Sequence, residues 1–276
     1  MVAIGQYNHL VVARQVDFGV YLDGEELGEI LLPRRYVPEN CKPGQKIKVF
    51  IYADSEDELI ATTEKPYATV GQCAYLKVKA SNDVGVFMDW GLLKDLLVPF
   101  NEQAFPMNAG RSYVVYVYLD ESTDRIAAST KLHHHLSEDG NEFELGQEVS
   151  LMIASRSSMG YKAAINNTHL GLIHKTEVFQ PLKFGQNLKG YIKTIRPDGK
   201  IDLSLRRSAR DDRDKLEDQI VAYLKKLGGS CTITDKSPPD LIYKVFKSSK
   251  ANYKRALGRL YKKKVILIDK ERISLL

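Results

Sequence analysis

Basic residues near the C-terminal end of the sequence form its clearest chemical pattern. The segment Leu241–Ile268 holds nine Lys and Arg and no Asp or Glu. Clustered cations neutralise the phosphates of a polyanion and release the counterions around them. A solvated basic face without a ligand fits an average helix, but nine cations without one acid favour polyanion binding. The side chains expected to make these contacts are Lys250, Lys254, Arg255, Arg259, Lys262 and Lys263.

The charge of the chain is distributed unevenly along its 276 residues. Residues 1–150 hold 13 Lys and Arg against 23 Asp and Glu, residues 151–208 hold 10 against 3, and residues 209–276 hold 17 against 9. The net charges of the three parts are therefore −10, +7 and +8. We expect the two basic parts to carry the binding surface, because the acidic part would repel a polyanion.

The elements that position these cations begin with a threefold repeat, since short landmarks recur at constant offsets of 66 and 75 residues. The recurring glycines are Gly19, Gly85 and Gly160, followed by Gly44, Gly110 and Gly185. Short runs of apolar–polar alternation lie between them, separated by turn signals such as Asp198-Gly199. Such runs predict a small antiparallel barrel in each repeat. The first glycine of each repeat is expected where φ is positive or two backbones approach closely.

The tail of the chain follows a helical period instead. Apolar residues recur at helical spacing in Ala209–Leu227, which Gly228-Gly229 ends. A second short helix is predicted to begin at Ser237–Asp240, and Ser248-Ser249 is predicted to cap a third. Brief strands are predicted at Thr232–Thr234, Val265–Ile268 and Ile273–Leu276. Three helices that end in a hairpin predict a winged helix-turn-helix.

The third repeat carries three motifs that are specific in combination. They are Gly160-Tyr161, Gly171-Leu172-Ile173-His174, and Gly199-Lys200-Ile201-Asp202-Leu203-Ser204. With them the repeat resembles the RNA-binding domain first described in the largest protein of the small ribosomal subunit, the S1 type, a five-stranded OB barrel. The first two repeats look like the same fold. Each has a proline, Pro33 or Pro99, in place of His174.

The whole chain is similar to the conserved virulence factor B family in length and domain order. The resemblance implies a mainly β protein with some α: three tandem five-stranded OB-fold barrels of the S1 type, followed by a small winged helix-turn-helix domain. The expected boundaries are 1–66, 67–140, 145–207 and 211–276. It also implies a non-enzymatic RNA-binding regulator, with single-stranded RNA as the partner and no cofactor.

Carried over to the third barrel, the resemblance implies a site on the second and third strands, where S1-type domains stack the bases of a single strand. The residues assigned to RNA binding here are Tyr161, Lys162, His169, His174, Lys193 and Lys200. Met159 and Lys162 stand where the family usually has aromatic side chains. Tyr161 is therefore interpreted as either a stacking residue or a core residue.

Aromatic residues also recur in the first two repeats. Repeat one has Phe18 and Tyr21, and repeat two has Phe87 and Trp90. In their acidic surroundings we interpret them as half-buried barrel aromatics, with weak RNA binding or protein contacts as the alternatives.

The sequence holds no recognisable catalytic or metal-binding constellation. The run His133–His135 cannot turn all three rings toward one ion, and no carboxylate or Cys stands at ligand spacing. Walker, nucleophile-elbow and zinc-protease motifs do not occur. We therefore expect neither a metal nor an enzymatic activity.

Two classes of function remain after these exclusions. The first is an RNA-binding regulator that acts after transcription, on transcripts, on the ribosome or on the RNA-degradation machinery. The second is a DNA-binding transcription regulator led by the winged helix, with the barrels as protein-contact modules. Three widely spaced cysteines and an N-terminus without signal-peptide features predict a cytoplasmic, non-membrane protein.

Overall fold

The strands of the N-terminal part close into three barrels of the same topology. The computed structural model describes residues 1–178, 181–206, 209–269 and 271–276, and its contacts divide the chain into two units, Met1–Leu203 and Ser204–Leu276. In each barrel the strand order is first, second, third, fifth, fourth. The third and fifth strands pair in parallel, and the other observed pairs are antiparallel.

Each barrel is built from five short strands. Barrel 1 consists of β1 Tyr7–Val16, β2 Gly19–Asp23, β3 Glu29–Pro33, β4 Lys46–Ala53 and β5 Leu59–Thr62. Barrel 2 consists of β6 Cys73–Ser81, β7 Gly85–Asp89, β8 Leu96–Pro99, β9 Ser112–Asp120 and β10 Arg125–Ser129. Barrel 3 consists of β11 Glu148–Arg156, β12 Gly160–Ile165, β13 His169–His174, β14 Asn187–Ile195 and β15 Ile201–Ser204.

The first recurring glycine of each barrel lies where two strands come into close contact. A Cβ atom added at Gly160 would lie 2.0 Å from the carbonyl oxygen of Ile173 on the neighbouring strand. The corresponding distances to backbone oxygen are 2.2 Å at Gly19 and 2.4 Å at Gly85. Of the two reasons expected from the sequence, close backbone approach is therefore the operative one, and it explains why the landmark is retained in all three repeats.

Adjacent barrels share apolar contacts within the first unit. Phe50 of barrel 1 is fully buried and packs edge-to-face against Trp90 of barrel 2, with ring centroids 5.8 Å apart. Between barrels 2 and 3, the backbone N–H of Cys73 donates to Oδ1 of Asn167 at 3.0 Å. Val114 and Leu170 lie in the same buried cluster at that junction. The barrels are therefore joined by packed side chains as well as by the chain itself.

The second unit has the helices and sheet of a winged helix. Its elements are α1 Ala209–Lys226, β16 Ser230–Cys231, α2 Pro239–Phe246, α3 Lys250–Lys262, β17 Ile266–Ile268 and β18 Ile273–Leu275, with the strands in the order β16-β18-β17. Buried apolar residues of all three helices and of the sheet form one core, which includes Ile220, Ile242, Tyr253 and Ile273. The expected fold class, three barrels followed by a winged helix, is confirmed. None of the described helices combines the length and apolar composition needed to span a bilayer.

Two local predictions in this unit have different outcomes. The side chain of Ser249 accepts a hydrogen bond from the backbone N–H of Asn252, so the predicted cap of α3 is confirmed. The strand predicted at Thr232–Thr234 is wrong, because the strand lies at Ser230–Cys231. Instead of pairing in the sheet, the carbonyl of Ile233 accepts a hydrogen bond from Oη of Tyr253 at 2.8 Å.

Candidate nucleic-acid interface

Helix α3 separates its apolar and basic side chains onto different faces. Tyr253 and Leu257 are buried in the core of the second unit, together with Ala256 and Leu260. Lys254, Arg255 and Lys262 are exposed on the helix. The side chain of Lys254 is 71% exposed and its Nζ lies 3.9 Å from Asp235, a distance at which solvent-screened charges interact weakly. We refer to Lys254, Arg255 and Lys262 as the α3 cationic face.

Two cations predicted to contact the ligand are bound instead to a buried carboxylate on α1. Glu217 is only 4% exposed. Its Oε1 accepts a hydrogen bond from Nε of Arg259, and its Oε2 accepts one from Nζ of Lys263 at 2.7 Å. Arg259 of α3 and Lys263, which directly follows α3, thus connect the end of this helix to α1 and are not part of the α3 cationic face. Lys250 is half-buried and its Nζ donates to the carbonyl of Lys236 at 3.3 Å.

The pKa of Glu217 reflects this arrangement. Burial raises the pKa of the carboxyl, but the hydrogen bonds from Lys263 and Arg259 and their charges outweigh burial and hold the pKa below its ordinary value. The carboxylate therefore stays ionised in the folded unit at neutral pH. A buried charge of this kind is tolerable only with both partners in place.

His174 of barrel 3 belongs to a three-residue polar network. Its Nε2 lies 2.9 Å from Oδ1 of Asp202 and 3.2 Å from Nη2 of Arg196. Arg196 also donates from Nε and Nη2 to the same carboxylate, at 3.1 and 2.6 Å. Burial raises the pKa of Asp202, but these hydrogen bonds and the two neighbouring charges hold it below its ordinary value. The His174 side chain is 33% exposed, so part of its ring still faces solvent.

His169 is buried beneath the segment that precedes barrel 3. It is 7% exposed, with the ring of Phe143 edge-on at 4.8 Å and Oε1 of Glu142 3.4 Å from its Nε2. Its Nδ1 lies 2.9 Å from Oγ1 of Thr168. The buried ring has little accessible surface on which the base expected from the sequence could stack.

The remaining candidate residues in barrel 3 differ in how closely other side chains of the protein contact them. Nζ of Lys193 donates to Glu177 at 2.7 Å, whereas Nζ of Lys200 lies 3.8 Å from Asp198. Tyr161 is half-buried, and the guanidinium of Arg156 lies 5.7 Å from its ring centroid. Lys162 is exposed, and among the described residues no carboxylate is recorded within ion-pairing distance of it. Lys162, the single cation on β12, is therefore accessible to a ligand.

Much of the sheet surface expected to stack bases is covered by barrel 2. Ala164 on β12 and Leu170 on β13 pack in one buried cluster with Cys73 and Val114 of barrel 2, and Leu136 of the intervening segment completes it. Bases stack on aromatic faces that solvent can reach. The part of barrel 3 left accessible is therefore the end near Lys162 rather than the whole face of the two strands.

Barrel 1 has the aromatic pair Phe18 and Tyr21, but one face of the Tyr21 ring is covered by Arg14 of the same barrel. The guanidinium of Arg14 lies 3.9 Å from the ring centroid of Tyr21 and is held by Glu29 at 2.7 Å. Phe18 meets Tyr21 edge-on at 6.3 Å and is 58% exposed. The interpretation of both as half-buried side chains holds for Tyr21 and is wrong for Phe18.

The three consecutive histidines occupy different surroundings. His133 and His134 are exposed with ring centroids 4.3 Å apart, whereas His135 lies between the rings of Tyr116 and Tyr118 at 5.0 and 4.6 Å. Burial lowers the pKa of His135 against an opposing contribution from Glu102, so the ring is neutral at neutral pH. Within the part of the chain that the structure describes, no three His, Cys, Asp or Glu side chains are grouped as metal ligands would be.

Replacing His174 by alanine tests what the polar network does. We expect the free energy of unfolding to fall by about 1 kcal/mol, since one hydrogen bond to a partly buried carboxylate is lost. RNA affinity per folded molecule should stay unchanged. Chemical denaturation and RNA titration of the same preparation measure the two quantities, with Lys175→Ala as the exposed neighbouring control. Weaker RNA binding at unchanged stability would assign His174 to the RNA contact expected from the sequence instead.

The first two barrels and the winged helix each match a known domain family. The S1 domain family matches residues 4–64 and 70–131, and the CvfB-like winged helix domain family matches residues 218–275. The Bacillus subtilis (strain 168) protein YitL is 30% identical over 268 residues, which cover 94% of this chain and 89% of that protein. Conserved virulence factor B of Staphylococcus epidermidis (strain RP62A) is 26% identical over 240 residues, covering 84% and 80%. A crystal structure of a Streptococcus pneumoniae multidomain protein with nucleic acid binding domains is 24% identical, covers 99% and 98%, and has a TM-score of 0.41.

Proposed function

Because the chain belongs to the conserved virulence factor B family and combines S1 and winged-helix domains, which are nucleic-acid-binding domains, we propose that it is an RNA-binding regulatory protein. It binds single-stranded RNA through the basic third barrel and the winged helix. It acts after transcription in the cytoplasm, on transcripts themselves or together with the ribosome or the RNA-degradation machinery. The matched families are binding and regulatory domains rather than enzymes.

The α3 cationic face is the observation that carries this proposal. Lys254, Arg255 and Lys262 are exposed on one helix, and their segment contains no acidic residue in the sequence. Such a face binds phosphates regardless of base identity. The single-stranded preference rests on the barrels, since OB folds bind unpaired strands. In barrel 3, the exposed Lys162 stands nearest to this role.

Salt dependence should report the α3 cationic face directly. Replacing Lys254, Arg255 and Lys262 together by alanine should flatten the slope of log affinity against log salt by about two units, because each phosphate contact on a single strand contributes about −0.7. Filter binding of a single-stranded RNA across a salt series measures the slope. Lys225→Ala/Lys226→Ala, which removes two exposed cations at the end of α1, should leave it unchanged. An unaltered slope in the triple variant would contradict the assignment.

The nature of the nucleic acid is tested with three ligands of the same base sequence. Single-stranded RNA should bind more tightly than single-stranded DNA, and both more tightly than duplex DNA, at low and at physiological salt. Tighter binding of duplex DNA would overturn the proposal in favour of a DNA-binding transcription regulator. Absence of binding to all three would overturn both.

A further inference from the structure

Four aromatic side chains surround a groove where barrels 2 and 3 meet. The groove has a volume of about 490 Å³ and is lined by Tyr75, Phe105 and Tyr113 of barrel 2 and by Phe184 of barrel 3. The exposed fractions of Tyr75, Phe105 and Phe184 are 46, 45 and 47%. The rings of Phe105 and Tyr113 are 5.7 Å apart and inclined by 39°. Large aromatic side chains gathered half-exposed around one concavity are typical of a binding site rather than of scattered surface residues.

The charges around the groove have one sign. Arg111 of barrel 2 and Lys162 of barrel 3 line it together with His133, and none of its described lining residues is acidic. This is unusual because residues 1–150, which supply Arg111 and His133, have a net charge of −10. Aromatic rings next to cations that have no acidic neighbour in the groove suit a ligand with both a flat ring and a negative charge.

The groove supplies what barrel 3 lacks on its own strands. Barrel 1 carries Phe18 and Tyr21 at the two positions where barrel 3 has Met159 and Lys162. In the folded unit, aromatic side chains of barrel 2 stand beside Lys162 instead. We propose that the groove between barrels 2 and 3 binds one nucleotide of a single-stranded RNA. Its base stacks among the aromatic rings, and its phosphate is held by Arg111 and Lys162.

The walls of the groove are fixed before any ligand arrives. A Cβ atom added at Gly185 would lie 2.2 Å from the ring of Tyr75, so this ring packs directly on the backbone of barrel 3. The hydrogen bond between Cys73 and Asn167 lies at the same junction, and the groove floor includes the buried side chain of Leu170. A preformed site loses less free energy on ordering the ligand than one that must assemble.

The surroundings favour a strand over a free mononucleotide. Past His133 and Lys162, a shallower depression of about 710 Å³ continues along residues 133–138. It is lined by the exposed imidazoles of His133 and His134 and also by Glu138. A neighbouring nucleotide of the same strand has room there, whereas a mononucleotide would leave this surface empty.

The inference rests on the proposed function, so the experiment must separate the two. The variant Phe105→Ala/Phe184→Ala removes two half-exposed rings from the groove of the full-length chain. The control Tyr67→Ala removes a ring that is 67% exposed and lies outside the groove. Both variants and the unaltered protein are titrated with a short fluorescent oligouridylate and with uridine monophosphate, and melting temperatures verify folding.

We expect the groove variant to bind the oligouridylate about tenfold more weakly, the loss that accompanies one stacked base, while the control binds like the unaltered protein. Arg111→Ser should weaken binding and reduce its salt slope by about 0.7, which keeps the test valid if the double variant folds poorly. Groove variants that bind like the unaltered protein would overturn the groove and leave the proposed function standing. An unaltered protein that fails to bind would overturn both, and uridine monophosphate binding as tightly as the oligonucleotide would overturn the strand as occupant.

Discussion

Replacing Arg259 by alanine is expected to destabilise the winged-helix unit by about 3 kcal/mol. The change leaves the buried carboxylate of Glu217 with Lys263 alone, and that lysine is 59% exposed. Removing one partner of a buried ion pair costs more than the pair itself contributes, because the remaining charge stays desolvated. Urea unfolding followed by circular dichroism measures the loss.

A matched control is available one turn earlier on the same helix. Arg255→Ala removes an exposed guanidinium of the same kind and should change stability by no more than about 0.5 kcal/mol. The double change Glu217→Met/Arg259→Met replaces the pair by apolar side chains of similar length and should recover most of the lost stability. Equal effects of Arg259→Ala and Arg255→Ala would mean that the contact with Glu217 is energetically unimportant.

Acid should weaken the same contact. The pKa of Glu217 in the folded unit lies below the ordinary value of 4.5. Its stabilising contribution is therefore complete above that ordinary value and is lost as the pH falls through the lower pKa of the folded state. The stability difference between the unaltered protein and Glu217→Gln should accordingly shrink in acid.

Gly160→Ala is expected to destabilise barrel 3 by about 3 kcal/mol. The new Cβ would stand 2.0 Å from the carbonyl oxygen of Ile173 and 3.0 Å from Cα of His174, both backbone atoms of the paired strand. Neither can move aside without breaking the register of β12 and β13, in which Gly160 faces His174. Hydrogen exchange should show protection lost in these two strands first.

The control for this glycine lies in the second unit. Gly258→Ala on α3 places its Cβ in open space. A glycine-to-alanine change inside a helix stabilises by about 1 kcal/mol, so the two substitutions should have effects of opposite sign. Unchanged protection of β12 and β13 in Gly160→Ala would show that the strands separate easily, contrary to the contact described.

The barrels and helices were predictable because they depend on interactions between residues close in sequence or on residues that recur at constant offsets in the repeats. Gly160 and its two counterparts are irreplaceable for one steric reason, so they recur at constant offsets. Ser249 caps α3 through a neighbour three residues away. The fold class followed from such features together with the resemblance to a known family.

The binding residues were less predictable because their partners are distant in sequence. Glu217 lies 42 residues before Arg259 and is its hydrogen-bond partner. A count of charged residues in the sequence treats both side chains as solvated and cannot reveal this contact. His169 is covered by Phe143 and Glu142 of the segment between β10 and β11. The offset between the second and third repeats is 75 residues against 66 between the first and second, so nine extra residues precede barrel 3. A length difference between repeats suggests a tolerant loop, and only the structure shows that this one packs against the barrel that follows.

The burial of Cys73 at the junction between barrels 2 and 3 makes its alkylation rate a measure of how often the two barrels separate. Cys73 is buried there, and burial raises the pKa of its thiol to about 12, whereas Cys41 of barrel 1 is partly exposed. Alkylating reagents consume the thiolate, which Cys73 supplies only while the two barrels are apart. The rate at which Cys73 is alkylated, relative to that of Cys41, therefore depends on how often this junction opens. An RNA that spans both barrels should lower the alkylation rate of Cys73.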